Sequence, residues 1–125
     1  MSESERFTAG MKVRREVLGD AYVDRAMQGA DALGQPLQEL ITEVAWGTVW
    51  SRPGLPRKTR SFITMAMLTV LNRPHELAIH VRGALRNGCT REEIVEVILQ
   101  AAVYGGAPAG LDGMRVAREV FAESD

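Results

Sequence analysis

The sequence predicts an all-α fold, and three observations support that prediction. No segment alternates apolar and polar residues over the length of a strand. No turn of the Asn-Gly or Asp-Gly type joins two β-rich runs. Most of the chain instead repeats apolar residues every three or four positions, which is the spacing of a helix with one buried side. We therefore expect a single domain over residues 1–125, a bundle of six to seven helices, with residues 1–5 and 123–125 frayed.

The first two helices are predicted from short apolar stripes. The stripe of the first helix consists of Phe7, Met11 and Leu18. Gly19 ends this helix, because glycine readily adopts the left-handed conformation that follows many helices. Asp20 can then cap a second helix, which runs to about residue 32 before Gly34 and Pro36 break the pattern.

The third helix has the clearest periodicity. Its predicted buried stripe consists of Leu37, Leu40, Ile41, Val44, Ala45 and Thr48. Glu39 and Glu43 form its polar side. Trp46 and Trp50 are four residues apart and therefore share a face. Residues 51–56 contain two prolines and a glycine, so they are predicted to form a loop.

The fourth helix is nearly all apolar over residues 62–71, which predicts that it is the central and most buried helix. Arg57, Lys58 and Arg60 lie in its first turn, where the helix dipole disfavours cations. Their charges, added to the free N–H groups of the turn, would form an anion site. Taken singly, each is expected to be a solvated surface charge. Because Arg52 and Arg73 flank the same helix, we expect one or two of the five to face a carboxylate.

Proline, glycine and capping signals delimit the last three helices. Pro74 lies in the first turn of the fifth helix, and residues 87–88, Asn-Gly, end it. Residues 90–93, Thr-Arg-Glu-Glu, form a capping box that starts the sixth helix. That helix ends at residues 104–106, Tyr-Gly-Gly, and Pro108 starts the seventh.

Charge, hydropathy and cysteine content argue against several classes of partner and chemistry. The net charge of −1 gives no electrostatic reason to expect nucleic acid or an anionic membrane. The longest apolar run is too short to span a bilayer. Cys89 is the single cysteine, so the chain cannot form an intramolecular disulfide or a dithiol redox centre. With no apolar leader visible near the N-terminus, we expect a reducing cytoplasm.

The ionisable residues permit acid–base chemistry but no familiar cofactor site. The sequence has no glycine-rich phosphate loop and no GxSxG elbow. His75 and His80 are five residues apart and point to different sides of a helix, which argues against a zinc pair. His80 follows Glu76 by four residues, so a carboxylate could raise the pKa of the imidazole and orient it. An ordinary surface pair is the alternative, but the position of His80 beside the apolar stripe indicates partial burial and favours a function.

The aromatic residues admit two interpretations. Trp46 and Trp50 are more often core or interface residues than substrate stackers. Tyr104 could donate its O–H into a pocket, although covering the core at a helix end is the commoner role.

A pattern over nearly the whole chain carries a family resemblance. Its segments are GMKVRREVLGD at 10–20, ELIT at 39–42, WG at 46–47, W-x-RPGL at 50–55, TRS at 59–61, EL-x-x-HVR-x-AL-x-NG at 76–88, EI-x-EV at 93–97 and YGG-x-P at 104–108. In these segments the chain resembles the 4-carboxymuconolactone decarboxylases of protocatechuate degradation, in the β-ketoadipate pathway. The resemblance implies the all-α fold of alkylhydroperoxidase D-like proteins. Those relatives carry CxxCxxxH, and aligning its histidine on His80 puts the cysteines at Arg73 and Glu76 and an assisting glutamate near Ser61. All three positions differ here, which favours the decarboxylase branch over a thiol peroxidase.

The resemblance also implies a reaction: decarboxylation of 4-carboxymuconolactone to 3-oxoadipate enol-lactone. Its lactone accepts the electrons, so neither metal nor cofactor is expected, and the protein must bind carboxylates and deliver a proton. His80 is the expected proton donor, oriented by Glu76 or Glu43. The expected substrate-binding residues are Arg52, Arg60, Arg73, Trp46, Trp50 and Tyr104. Members of the family form rings, typically hexamers, so a homo-oligomer with a small-molecule substrate is expected.

Three other interpretations stay open on the sequence. A thiol-dependent peroxidase would have to use Cys89. A non-catalytic oligomeric protein would bind a lactone acid without releasing CO2. A paralogue would act on a different lactone or on a β-keto acid, because the shape of the pocket decides the substrate.

Overall fold

The computed structural model describes residues 3–123, and its regular elements in that range are all helical, which confirms the all-α prediction. The seven helices are α1 (Glu3–Leu18), α2 (Asp20–Gln28), α3 (Gln35–Ile41, continued by a π-helical segment, Thr42–Trp50), α4 (Arg57–Val70), α5 (Pro74–Arg86), α6 (Arg91–Gly105) and α7 (Ala107–Ala122). Residues 1–2 and 124–125, which belong to the stretches expected to fray, lie outside the described residues. Residues 3–5 are part of α1.

Contacts between Cα atoms divide the chain into two compact units. The first, Met1–Leu55, contains α1, α2 and α3 with its π-helical segment. The second, Pro56–Asp125, contains α4 to α7. The single domain expected from the sequence stays a prediction.

In the first unit, α1 packs along the π-helical segment at a pair of glycines. A Cβ atom on Gly10 would overlap the carbonyl oxygen of Thr42, and one on Gly47 would overlap the carbonyl oxygen of Arg6. The two backbones therefore approach closely enough to exclude any side chain at these positions. Buried apolar side chains of the same unit include Val13, Val17, Leu18 and Val23.

The stripe predicted for the third helix is wrong about which side is buried. Leu37, Leu40 and Val44 are exposed, whereas Thr42, Trp46 and Trp50 are buried. Residues four apart drift around an α-helix of 3.6 residues per turn. On the wider π-helix, whose hydrogen bonds span five residues, they stay closer to one line. The widening therefore accounts for the shared buried side of Thr42, Trp46 and Trp50, whereas Leu37 and Leu40 precede it and are exposed on the α-helical part.

The second unit is built around one apolar core. Its fully buried members include Met65 of α4, Leu77 and Val81 of α5, and Ile94 and Ile98 of α6. Burial of each larger side chain contributes about 1.5–3 kcal/mol. The capping box of α6 is present, since Thr90 Oγ1 accepts from the N–H of Glu93 at 3.0 Å and the Glu93 carboxylate accepts from the N–H of Thr90 at 2.9 Å.

Helix α4 is less buried than its composition predicts. Only Ser61, Met65 and Thr69 of this helix are buried, at every fourth residue. Ile63, Met67 and Val70 face outward and are exposed. Helix α4 therefore buries one side and exposes apolar residues on the other. It is not the central, most buried helix that the sequence predicted. Among residues 3–123, no helix is both long enough and apolar enough to cross a membrane.

Candidate active site

The turn before α5 is built by residues with special backbone preferences. Asn72 has a φ of 56°, in the left-handed region that asparagine tolerates better than most residues. Arg73 is the N-cap residue of α5, and its N–H donates to the carbonyl of Leu68 at 2.9 Å. Pro74 occupies the first turn of the helix, as predicted. The side chains of Arg73 and Glu76 both point from this turn into an exposed position.

His80 lies one helical turn beyond Glu76 and is half-buried. Burial lowers the pKa of His80 from 6.5 to about 4, and the opposing effect of the Glu76 charge is smaller. Glu76 does raise the pKa of this imidazole, as expected, but burial has the larger effect and the net change is downward. Desolvation of the charged form outweighs an exposed carboxylate, whose field is weakened by water. At pH 7 the imidazole of His80 is therefore almost entirely neutral.

Because the imidazole is neutral, the protein without ligand has no imidazolium that could donate a proton. One ring nitrogen can donate a hydrogen bond to a developing oxyanion, and the other can accept a proton. To donate a proton as an imidazolium, His80 must first gain one. An anionic ligand placed beside the ring would favour the charged form and move its pKa upwards.

The three arginines expected to bind substrate occupy different settings. Arg52 is exposed in the loop of the first unit that follows the π-helical segment. Arg60 lies half-buried in the first turn of α4, and Arg73 is exposed in the turn before α5. Lys58, also in the first turn of α4, binds the Glu93 carboxylate at 2.9 Å. Within the cationic turn of α4, Lys58 therefore has an internal carboxylate partner.

Trp46 and Trp50 are brought together within the first unit. Their ring centroids are 4.8 Å apart, and the ring planes are inclined by 30°. Both side chains are buried, with 4% and 9% exposed. Glu43, in the same π-helical segment, is half-buried, and its carbonyl accepts a hydrogen bond from Thr48 Oγ1 at 3.1 Å. The prediction that the two tryptophans share a face is confirmed.

Tyr104 does not cover the core at the end of α6. Its side chain is 79% exposed and lines a groove of 720 Å³ between α4 and α6. The remaining groove residues are mostly apolar: Phe62, Ile63, Ala66, Met67, Val70, Leu71, Val97, Gln100 and Ala101. Neither His80 nor Glu76 lines this groove, so the groove and the histidine are separate features of the second unit.

Cys89 is a poor candidate for thiol chemistry. The side chain is buried, and burial together with the charge of Glu93 raises the pKa of the thiol. Because the thiolate is the nucleophilic form, both effects lower its reactivity. Among the described residues, no group of three or more His, Cys, Asp and Glu side chains is arranged to hold a metal ion.

Sequence reasoning missed Arg14, which is buried in the first unit. It donates to Thr42 Oγ1 at 3.1 Å and to Gln38 Oε1 at 2.9 Å. A signal was present in the sequence, since Gly10, Arg14 and Val17 have the spacing of one helix face. The charge of Arg14 concealed it, because an arginine inside an apolar stripe is usually read as solvent-facing.

Comparisons with known proteins agree with the sequence pattern. The model of the carboxymuconolactone decarboxylase family matches residues 35–119. A 4-carboxymuconolactone decarboxylase of Acinetobacter baylyi is 45% identical over 97% of this chain and 90% of its own length. A nitrosuccinic acid decarboxylase of Metarhizium robertsii is 49% identical over 92% of this chain and 80% of its own.

A third relative is shorter. A 4-carboxymuconolactone decarboxylase of Pseudomonas putida is 49% identical over 47 residues, which are 38% of this chain and 98% of the relative. All three relatives are decarboxylases by name, which confirms the prediction of a carbon–carbon lyase at the level of reaction type. The match of the family model and the near full-length identities together show that the chain belongs to the carboxymuconolactone decarboxylase family.

Proposed function

We propose that the protein decarboxylates 4-carboxymuconolactone to 3-oxoadipate enol-lactone, without a metal or an organic cofactor. The observation that carries this proposal is the 45% identity to the Acinetobacter baylyi enzyme over 97% of the chain. In this reaction the bond between the ring carbon and its carboxylate breaks, and CO2 leaves. The electron pair moves through the ring double bond onto the lactone carbonyl. A proton then adds to the ring carbon beside that carbonyl.

The proposed proton donor is His80. Because its pKa is lowered in the protein without substrate, His80 must gain a proton when the substrate binds. The substrate carries two carboxylates at neutral pH. Bound next to the imidazole, they would raise its pKa and so charge it when the substrate is in place. Glu76, one turn away, acts in the same direction and is the proposed orienting carboxylate, with Glu43 as the alternative.

The remaining roles follow from side-chain chemistry. Guanidinium groups bind carboxylates through two parallel hydrogen bonds, so Arg52, Arg60 and Arg73 are the proposed carboxylate anchors. Trp46 and Trp50 are the proposed apolar wall, beside which a departing carboxylate is poorly solvated. Tyr104 stays a predicted substrate-binding residue, although its side chain lines the groove between α4 and α6 and not the surroundings of His80.

A second candidate substrate is nitrosuccinic acid, favoured by the 49% identity to the Metarhizium robertsii enzyme. The two acids share a chemical unit. In each, one carbon bears a carboxylate and a CH2COO⁻ arm and is joined to an electron acceptor. The acceptor is the unsaturated lactone in one acid and the nitro group in the other. For either acid, the protein must therefore bind one carboxylate while the other leaves as CO2.

We also propose a homo-oligomer, with a hexamer as the expected form, in a reducing cytoplasm. The exposed aliphatic stripe of Leu37, Leu40 and Val44 supports association, because a monomer gains little by leaving such residues in water. Cys89 as a single free thiol is compatible with reducing conditions.

The experiment that tests the function mixes purified protein with each acid in turn, with chelator present and no cofactor added. Loss of substrate absorbance and release of CO2 are followed together. Turnover of 4-carboxymuconolactone supports the main proposal, and preferential turnover of nitrosuccinic acid replaces it with the second. Binding of either acid without CO2 release would show a non-catalytic binding protein. His80→Ala should abolish most turnover at saturating substrate, while the matched variant of the exposed histidine, His75→Ala, should not.

A further inference from the structure

We propose that Arg14 is a positioning residue, which holds the helix at its α-to-π transition and thereby sets the arrangement of Trp46 and Trp50. The consequence for turnover rests on the function proposed above, since it assumes that the tryptophan pair borders the substrate. The proposed effect of Arg14 on the arrangement of the two tryptophans does not depend on that function and is measured separately.

The guanidinium of Arg14 reaches the point where the third helix widens. One terminal nitrogen donates to Thr42 Oγ1 at 3.1 Å, and the other donates to Gln38 Oε1 at 2.9 Å. The Thr42 hydroxyl in turn donates to the carbonyl oxygen of Gln38 at 2.8 Å. Gln38 belongs to α3, and Thr42 is the first residue of the π-helical segment. A closed set of hydrogen bonds therefore ties both sides of the transition to α1.

Packing alone does not account for an arginine here. The side chain is 3% exposed, and its hydrogen-bond partners among the described residues are uncharged side chains: Thr42, Gln38, Tyr22 and Met27, whose sulfur lies at 3.6 Å. Its Nε is buried and has no hydrogen-bond partner within residues 3–123. Burial lowers the pKa of Arg14, which reflects the unfavourable desolvation of the cation. An uncharged side chain of similar length would fill the same space without that penalty. The directed hydrogen bonds to the helix are what such a side chain could not supply.

The geometry of the tryptophan pair depends on the transition. π-helical turns are rare and occur mostly inside longer α-helices, often at functional sites. If the segment after Gln38 reverted to α-helical hydrogen bonding, each later residue would rotate about the helix axis. Trp46 and Trp50, which lie one and two turns beyond Thr42, would leave their present arrangement at 4.8 Å.

The two tryptophans are the only ones in the chain, so their spectroscopic coupling can be measured directly. Two indoles at this separation give a paired positive and negative band in circular dichroism, and Trp46→Phe identifies that signal. Arg14→Met should reduce the paired signal by at least half while helix content is retained. Arg14→Lys should restore part of it, because the ammonium group can still donate hydrogen bonds but lacks the two separate nitrogens of the guanidinium. The matched control is Arg15→Met, whose native side chain binds Asp20 and Asp24 instead of the third helix.

Turnover gives the second measurement. With the substrate that the wild type decarboxylates, Arg14→Met should lower kcat roughly 10- to 100-fold, the effect of displacing a positioning group by about 1 Å. Arg15→Met should leave both kcat and the paired signal unchanged. Thr42→Val removes the shared hydroxyl with little change of shape, and its effect should not add to that of Arg14→Met.

Several results would overturn the proposal. A wild-type paired signal in Arg14→Met is one, and an equal loss of that signal in Arg15→Met is another. If Arg14→Met does not fold, Thr42→Val decides, and an unchanged signal in that variant refutes the role. A wild type that decarboxylates neither acid refutes the proposed function, whereas the spectroscopic result still decides the role of Arg14.

Discussion

Acid should destabilise the second unit through His80, and the effect can be calculated. The pKa of His80 is about 4 in the folded protein and 6.5 when the side chain is in water. Between these values the unfolded chain binds the proton and the folded chain does not, so falling pH favours unfolding. Above pH 6.5 His80 is neutral in both states and does not reduce the free energy of unfolding. As the pH falls from 6.5 to 4, protonation of the unfolded chain lowers that free energy progressively. The difference between the two pKa values corresponds to about 3 kcal/mol.

The assay compares wild type with His80→Gln by urea unfolding at fixed protein concentration, at several pH values from 7.5 to 4.5. We expect the wild type to lose more stability than His80→Gln over this range, approaching the full difference at the acid end. His75→Gln is the matched control, since His75 lies in the same helix, five residues before His80, and is exposed. Helical circular dichroism is the readout, and the NMR titration of His80 measures the pKa directly. Parallel stability curves for wild type and His80→Gln would refute the reasoning.

Four further outcomes can be checked. Because kcat/KM reports the free protein, its His80-dependent inflection should lie near pH 4, and an inflection between 6 and 8 that disappears in His80→Gln would contradict the burial argument. Gly47→Ala should cost at least about 2 kcal/mol in thermal or urea unfolding, because its Cβ overlaps a backbone carbonyl, whereas Gly54→Ala, with open space around it, should cost little. Thr90→Ala should lower the free energy of unfolding by about 1 kcal/mol through loss of the capping box, and an unchanged midpoint would show that the cap is dispensable. Cys89→Ala should retain decarboxylation; its loss would return the thiol to consideration.

The sequence predicted local structure well where residue type acts through the backbone. Pro74, the Thr90 capping box and the Asn-Gly end of α5 all lie at helix ends in the structure, as expected. Helical character could also be read from apolar spacing. Each of these signals acts within a few residues, so no knowledge of tertiary contacts was needed.

The orientation of helices was harder to predict, and the third helix shows why. Its aliphatic stripe has ideal α-helical spacing, yet the buried residues are Thr42, Trp46 and Trp50. The burial of Thr42, Trp46 and Trp50 depends on the π-helical segment and on the close approach of Gly10 to Gly47. Both are properties of two packed elements. A regular α-helical period could not reveal them.

The net shift of the His80 pKa could not be predicted from residue spacing either. The separation from Glu76 correctly predicted a carboxylate one turn away, and its charge does favour the imidazolium. Burial, however, depends on all the elements packed around the ring. The i,i+4 spacing therefore predicted the effect of the Glu76 charge, which is smaller than the opposing effect of burial.

The location of Trp46 and Trp50 has a practical consequence for studies of folding. Both tryptophans lie in the first unit, and both histidines lie in the second. Intrinsic fluorescence at tryptophan wavelengths therefore follows residues up to 55, while histidine ring resonances follow residues from 56 onwards. Coincident transitions from these two native reporters would establish that the chain unfolds cooperatively as one body. Separate transitions would reveal two independently melting halves, without any added label.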